Sequence, residues 1–291
     1  MRFSIIIPTF ENFNYLRITI NSVIKNSKYD HEILVHVNSG NDETIDFLKK
    51  KNIKFSYSEY NLGLCTSTNI ASKKATTDYI LYSHDDMYFC PGWDITLKNE
   101  ILNLNHNLYY LSSSMIEQNS GHIQFDCGDS FHNFNEDKLL KNYKSLKYFD
   151  YQGSHWAPHL IHKKIWNDIG GFSEEFNPGI GSDPDLNMKL WKRGVRIFKG
   201  LSNFKVYHFG SISLRKKSNL KINKGNKTFL KKWGITPVFF TKYYLRGGKF
   251  INNKIKSIPF DGPLKKPEKS LSFLIEKIIC KLKYLKLMIF K

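Results

Sequence analysis

At 291 residues the chain is long enough for one large domain with an appendage and a full hydrophobic core. A content of 41% hydrophobic and 15% aromatic residues excludes a disordered chain. The net charge of +18 sits at one end: residues 1–214 hold 23 Lys+Arg and 23 Asp+Glu, whereas residues 215–291 hold 21 against 3.

Such asymmetry suggests an anionic partner surface, nucleic acid or membrane. Cys65, Cys90, Cys127 and Cys280 lie far apart with no CxxC pair, which argues against a zinc site or disulfide framework and suits a reducing cytoplasm. The apolar start before Pro8 is too short for the core of a signal peptide, and no segment approaches the 18 uninterrupted apolar residues of a spanning helix. The expectation is a protein made and kept inside the cell.

In chain order, Phe3–Ile7 is an apolar run stopped by Pro8 and reads as a buried strand. Residues 13–26 place Tyr15, Ile18 and Val23 at helical spacing. Ile33–Val37 is a second strand, followed by the turn-rich 38–42. A helix over 43–51, a strand over 53–57, a helix from about 64 to 75 and a strand at Tyr79–Tyr82 follow. This alternation predicts an α/β domain with a mostly parallel central sheet flanked by helices. In such sheets ligands gather beyond the carboxyl ends of the strands. Pro8-Thr9-Phe10-Glu11, 38–42 and His84-Asp85-Asp86 all fall there, so three polar turns should converge on one crevice.

Farther along, Leu108–Met115 and 121–127 read as strands, and 129–150 as a polar and aromatic stretch of weak periodicity. A turn at Gly170-Gly171-Phe172, a helix over Asp183–Arg193 ending at Gly194, and strands at 195–199 and 203–209 complete the domain. Residues 223–246 read as one or two basic helices interrupted by Gly234 and Pro237. The expected organisation is a catalytic domain over 1–215, a basic helical extension over 216–257, a Pro-rich linker over 258–270 and an amphipathic basic helix over 271–291.

The strongest local signal is an apolar strand ending in Asp85-Asp86. Adjacent like charges at a strand end are costly unless a cation holds them. Carboxylates together with substrate phosphates are the usual magnesium arrangement. Taken alone, Asp-Asp in a turn is as readily a solvated loop or a helix cap.

Several ordered motifs together resemble the inverting glycosyltransferases of family 2, which have the GT-A fold. Ser4-Ile-Ile-Ile-Pro-Thr-Phe-Glu11 is similar to that family's opening strand and nucleotide-binding turn. Asn61-Leu-Gly63 with Asn69 is similar to its Asn-x-Gly and downstream Asn. Ser83-His84-Asp85-Asp86 occupies the place of its DxD metal motif, followed by Pro91-Gly-Trp93. Gly170-Gly-Phe-Ser-Glu-Glu-Phe176, Ser182-Asp183-Pro-Asp185 and Arg193-Gly194 resemble the block that carries the catalytic acid-rich segment. The likeness runs from Ser4 to about Arg215.

It departs from the family at Asn38, where an aspartate is usual, at Ser83-His84, where the first Asp of the metal motif is lost, and at Ser182, where Glu is usual.

The resemblance implies a nucleotide-sugar donor and a divalent cation, Mn or Mg. Donor contacts would come from Pro8, Thr9, Glu11, Asn38, Asp42, Asn61, Asn69, Asp85, Ser211 and Arg215. The cation would be gripped by Asp85, Asp86 and His208, with Asp86 the surest ligand. Asp183 would accept the proton of the attacking acceptor hydroxyl; its competing role is a simple helix cap followed by Pro184. His155, Trp156 and Asp185 would meet the acceptor, with His159 nearby. The implied reaction moves a hexosyl group to a glycan or lipid-linked acceptor, in surface polysaccharide or lipooligosaccharide biosynthesis.

In the tail, Leu271, Leu274, Ile275, Ile278, Leu282, Leu285 and Ile289 fall on one face at 100° per residue, with Lys277, Lys281, Lys283 and Lys286 away from it. Such a helix suits an anionic membrane surface better than nucleic acid, whose bases want aromatic platforms. Packing on the catalytic domain is the competing role. The expected location is therefore cytoplasmic, peripheral on the inner face of the cell membrane, with no nucleic-acid partner. A sugar-1-phosphate nucleotidyltransferase would want a Gly-rich, Lys/Arg-bearing loop after the first strand, which Pro8-Thr9-Phe10-Glu11 does not supply. A non-catalytic membrane- or nucleic-acid-binding protein explains the tail but not the carboxylates at the strand ends.

Overall fold

The computed structural model describes residues 1–39, 42–210, 224–251 and 254–289. The expected alternation is present: β1 (Ser4–Phe10), α1 (Phe13–Asn26), β2 (Glu32–Asn38), α2 (Asp42–Lys50), β3 (Lys54–Ser58), α3 (Leu64–Ser72) and β4 (Tyr79–Tyr82). Next come β5 (Met87–Phe89), α4 (Trp93–Leu104), β6 (Tyr109–Glu117), β7 (Ile123–Gln124), α5 (Glu136–Asn142), β8 (Tyr151–Gln152), β9 (His159–His162), α6 (Lys163–Asp168), α7 (Ser182–Arg193) and β10 (Ile197–His208).

The main sheet has the order β3-β2-β1-β4-β9-β6-β10-β5, with β7 and β8 attached at its far half. The first four strands pair parallel, as do β6 and β10; β9 and β5 enter antiparallel. This is the GT-A architecture, a central sheet flanked by helices, with a helical C-terminal extension.

Pro8 does not stop the first strand, contrary to expectation. β1 continues to Phe10, with Pro8 opposite His36 of β2. On its other side β1 pairs with β4 only from Ser4 to Ile6. Beyond Ile6 that side has no strand neighbour, so the missing N–H of proline costs no ladder bond.

The two late strands are one, β10, carrying an irregularity between Leu201 and Lys205 where it pairs with β6. The expected strand over 121–127 shrinks to Ile123–Gln124. The elements β5, α4, α5, β9 and α6 were not legible in advance. β9 is the informative case: it lies between β4 and β6, which makes both flanking pairings antiparallel.

α1 shows how burial selects a face. Tyr15, Leu16, Thr19, Ile20, Ser22, Val23 and Asn26 turn inward at helical spacing. The core packed between sheet and helices includes Phe3, Ile6, Leu34, Leu81, Trp93, Leu160 and Phe198, all fully buried. Burying a side chain of this kind stabilises by roughly 1.5–3 kcal/mol. The four cysteines are free and buried.

The extension contains α8 (Gly225–Trp233), α9 (Pro237–Phe240, continued by one turn over Thr241–Leu245), a hairpin of β11 (Lys249–Ile251) and β12 (Lys254–Lys256), and α10 (Leu271–Ile289). The Pro-rich stretch is pinned to the α/β domain. Gln152 N–H donates to Ile258 O at 3.0 Å, Phe260 N–H to Asp150 O at 2.8 Å and Leu264 N–H to Arg196 O at 2.8 Å.

α10 packs through Phe273 and Cys280, both buried, with Phe273 against Phe239 and Tyr243. Its predicted aliphatic face looks outward: Leu274 is 43% exposed, Ile278 59% and Leu282 61%. Among the described residues no helix is long and apolar enough to cross a membrane.

Candidate active site

The carboxyl ends of β1 and β4 meet the turn that starts β5. Asp85 and Asp86 are both buried there, but they face different ways. The Asp85 carboxylate accepts from Thr9 Oγ1 at 2.6 Å and Asn12 Nδ2 at 3.0 Å. The Asp85 carbonyl accepts from Thr19 Oγ1 at 2.9 Å, and the same hydroxyl accepts from Met87 N–H at 3.0 Å. Asp85 thus ties the turn to β1 and α1.

Asp86 points to the opposite side. There β5 pairs antiparallel with the end of β10, setting His208 opposite Met87, and Phe209 N–H donates to Asp86 O at 3.1 Å. Two residues 122 positions apart are thereby brought together. His208 Nε2 lies 3.5 Å from Asp86 Oδ1, and His84 Nδ1 lies 4.0 Å from the same oxygen.

His84, Asp86 and His208 each offer one ligand atom, all within 4.8 Å of one another. Asp85 is not part of this group; His84, a residue not expected to bind metal, stands in it. The donor set of two imidazoles and one carboxylate fits a divalent ion. Nitrogen ligands favour a transition ion such as Mn²⁺ over Mg²⁺, which prefers all-oxygen shells.

Glu117, at the end of β6, holds His208 Nδ1 at 2.6 Å. A partner on Nδ1 fixes the ring and aims Nε2 at the Asp86 side. Burial disfavours charge on His208, but Asp86 and Glu117 outweigh it and push its pKa up to about 10. His84 goes the other way, down to about 4, because burial dominates over the attraction of Asp86. Protonated His208 is held between two carboxylates, the position a metal would contest.

Asp183 lies at the start of α7. The helix cap is Gly181, in the left-handed conformation at φ 85°, and Ser182 is the first helical residue. Asp183 is therefore not the capping residue. Its carboxylate is half-buried and has no hydrogen-bond partner among the described residues. Desolvation raises its pKa to about 7, despite the helix N-terminus, which favours the anion.

The fully buried Tyr82 hydroxyl relates the two centres. Burial raises its pKa most, and the charges of Asp183, Asp85 and Asp86 add to this. The carboxylate of Asp183 and those at the strand end thus lie within electrostatic reach of one phenol. Beneath them His159 is fully buried between Tyr82 and Tyr110, at ring distances of 5.1 and 4.6 Å. Its pKa is pushed down to about 3 by burial, which keeps it neutral.

Other expected donor residues take bracing positions. Asn38 accepts from Leu62 N–H at 3.0 Å and Ser67 Oγ at 2.8 Å, which shapes the Asn61-Leu62-Gly63 turn. Asn61 accepts from Gly63 N–H at 2.8 Å. A Cβ on Gly63 would stand 2.5 Å from Asn177 Oδ1, so glycine is required there by space as well as by its φ of 84°. Asn69 donates to Phe172 O at 2.8 Å and accepts from Phe172 N–H at 2.9 Å, bracing α3 to the Gly170-Gly171 turn.

Pro8 and Thr9 are buried at the end of β1, while Glu11 and Asp42 are exposed. Ser211 and Arg215 lie outside the described residues.

The expected acceptor residues divide. His155 and Trp156 are half-buried, with their rings in tilted contact at 4.3 Å between centroids. A Cβ on Gly247 of the extension would come 3.0 Å from His155 Cε1, so the extension flanks this pair. Asp185 is fully buried and already engaged: by Ser173 Oγ at 2.6 Å, Trp233 Nε1 at 2.8 Å and Lys232 Nζ at 2.9 Å. These contacts join α7 to α8.

Comparison with known proteins agrees with this geometry. The glycosyl transferase family 2 sequence profile matches residues 4–164. No curated protein sequence matches the chain.

Among solved structures, S. aureus TarS 1–349 shares 21% identity at a TM-score of 0.51, over 72% of this chain and 60% of that chain. The same protein in complex with UDP-GlcNAc shares 21% at 0.51, over 71% and 58%. GalNAc-T7 with UDP, GalNAc and Mn²⁺ shares 18% at 0.56, over 83% and 46%. The chain thus spans 60% or less of the length of these structures, and at such identities the likeness is one of fold.

Proposed function

The chain belongs to glycosyl transferase family 2, and from that premise we propose that it is an inverting, metal-dependent hexosyltransferase that uses a nucleoside-diphosphate sugar. The observation that carries this reading is the His84–Asp86–His208 cluster, with a carboxylate of raised pKa, Asp183, within electrostatic reach of the same buried phenol as Asp86. TarS has been solved with UDP and with UDP-GlcNAc, and GalNAc-T7 with UDP and Mn²⁺; we carry a uridine-type donor and Mn²⁺ to this chain by analogy of fold.

A divalent cation held by Asp86, His208 and His84 would supply positive charge to the diphosphate as the glycosidic bond breaks. Glu117 keeps His208 in the ligand orientation. Thr9 and Asn12 hold Asp85 beside the β1 turn, where it would meet the ribose. Pro8, Glu11, Asn38 and Asp42 would contribute further donor contacts from the neighbouring strand ends and turns.

Asp183 would take the proton of the acceptor hydroxyl as that oxygen attacks the anomeric carbon from the face opposite the leaving group. A carboxyl with a pKa of about 7 is a stronger base than an ordinary aspartate and is still about half ionised at neutral pH. His155 and Trp156 would line the acceptor side, Trp156 against a sugar ring.

The acceptor we propose is a lipid-linked or other surface glycan, reached from the inner face of the membrane. The outward aliphatic face of α10 and its lysines support this, since burying such a face in a headgroup layer recovers the hydrophobic energy that the fold leaves unused.

The test is turnover of a panel of nucleotide sugars with and without Mn²⁺, with Asp86→Ala as control. Cleavage of one donor that needs both metal and Asp86 is the expected result. No donor binding and no turnover across the panel would sink the reading.

A further inference from the structure

A trough of about 720 Å³ runs between α8, α9 and α10, away from the metal cluster. That volume lies in the range of sites that take small molecules. Leu230 and Phe239 form its buried floor, and Val238, Ile279 and Leu287 its sides. Val238 is 73% exposed and Ile279 43%, a steep exposure for side chains that enclose a cavity. Three cations, Lys227, Lys283 and Lys286, also line it. The acid among the lining residues, Glu276, is already engaged by Lys242 and by the Tyr243 hydroxyl, the latter at 2.9 Å. The trough is therefore apolar inside, with a positive rim whose lysines have no acidic partner among the described residues.

One end of the trough has a fixed relation to the catalytic helix. Asn226 and Lys227 follow Gly225, which packs on the backbone of Ile180 and Gly181 so closely that no Cβ would fit. Gly181 caps α7, two residues before Asp183. At the other end of α8, Lys232 and Trp233 clamp Asp185 of the same helix. The Lys227 end of the trough thus lies beside the turn that presents Asp183.

We propose that this trough binds the hydrocarbon chain of an anionic lipid, with its phosphate on the lysine rim, and so seats the membrane-held part of the acceptor with its sugar end toward Asp183. The inference rests on the reading above that the acceptor is lipid-linked, and it names where that lipid is held. The chemistry is one of complementarity. A bare phosphate would gain nothing from five aliphatic and aromatic side chains, and a neutral chain would leave three lysines without counter-charge. A nucleic acid would find no exposed aromatic platform among these residues.

The experiment is calorimetric titration of the full chain with dodecyl phosphate below its micelle concentration, beside dodecyl phosphocholine and inorganic phosphate. Saturable binding of dodecyl phosphate is expected, with inorganic phosphate at least 100-fold weaker. Ile279→Glu and Val238→Glu should each weaken dodecyl phosphate at least tenfold. Lys283→Glu with Lys286→Glu should do so while leaving dodecyl phosphocholine within threefold. Unchanged melting temperatures verify folding; these side chains are exposed, and Val238→Trp, which plugs the trough with an apolar group, serves as a second variant.

Equal affinity in all variants overturns the proposal. So does inorganic phosphate binding as tightly as dodecyl phosphate, or a sedimenting dimer that Ile279→Glu dissociates, which would make a second copy the occupant. Failure of metal-dependent donor turnover with dodecyl phosphate binding intact would sink the transferase reading and leave the lipid site standing.

Discussion

The strand-end crevice and the C-terminal extension handle charge and apolar surface in opposite ways. In the crevice, Asp85, Asp86 and His208 are all buried and each has a specific partner. In the extension, aliphatic side chains and lysines of α10 are both left to solvent. Burying charged groups costs several kcal/mol unless partners and geometry compensate, so a protein keeps such an arrangement where chemistry demands it. Exposed aliphatics forgo about 25 cal/mol per Å², so a protein keeps them where a second surface covers them. On the proposed reading, the first region serves reaction and the second attachment.

The two regions can be separated by mutation, and the largest effect should come from the crevice. Asp86→Ala removes the carboxylate shared by both imidazoles. We expect donor turnover to fall about 10³-fold, the scale of losing a preorganised electrostatic contact, measured as metal-dependent nucleotide release. A loss under threefold would show that the cluster does not serve the reaction. Membrane binding should be untouched, which keeps the two regions distinct.

Asp183→Asn comes next, with transfer slowed about 10²- to 10⁴-fold, the usual weight of a general base. The sign of its pH dependence follows from the raised pKa of about 7. The active form is the anion, so the rate should rise with unit slope as pH climbs toward 7 and level off above it. In the Asn variant that inflection should vanish. An inflection near pH 4 in the native protein would place the base elsewhere.

Between the regions lies the Asp185 clamp. Asp185→Ala leaves the Trp233 Nε1 donor without its acceptor, while Lys232 keeps Glu175 at 2.9 Å, and should cost about 1–3 kcal/mol, seen as a melting temperature lowered by roughly 6 °C. If Lys232→Met with Trp233→Phe lowers it no further in the Ala background, the three act as one unit. A shift of less than 2 °C would mean that the extension is not held by this contact.

The smallest effect on the fold should come from the face of α10. Leu274→Ser, Ile278→Ser and Leu282→Ser together should leave melting and donor turnover unchanged but reduce co-sedimentation with anionic vesicles at least tenfold. The native protein should also lose binding as salt rises, because the lysine contribution is screened. Undiminished co-sedimentation of the triple variant would remove the attachment role from this face.

Much of this organisation could be read in the residues before their arrangement was known. Short apolar runs ending in polar turns gave the second, third and fourth strands to within one residue at each end and the start of the first, because a strand of a parallel sheet has few alternatives to such a run. Charge asymmetry marked the tail as a different region. Asp86, Asp183 and His208 were legible as candidates because ordered motifs placed them at strand and helix ends. His84 was passed over for Asp85: in a tight turn neighbouring side chains diverge, and one residue of register decides which faces the cluster. Asn38, Asn69 and Asp185 carried polar side chains that suggested ligand contact; in the fold Asn38 Oδ1, Asn69 and Asp185 also make hydrogen bonds within the protein.

By itself, the sequence determined the α/β alternation, the site's place at the strand ends and the amphipathic basic tail, since each depends on local periodicity and turn chemistry. Tertiary structure decided the pairing of β10 with β5 that sets His208 beside Asp86, the burial that lifts Asp183 to a pKa of about 7, and the docking of α10 by Phe273 and Cys280 that turns its aliphatic face outward. These depend on contacts between residues distant in the chain and on the desolvation that packing imposes, and neither quantity is encoded in any single stretch of residues.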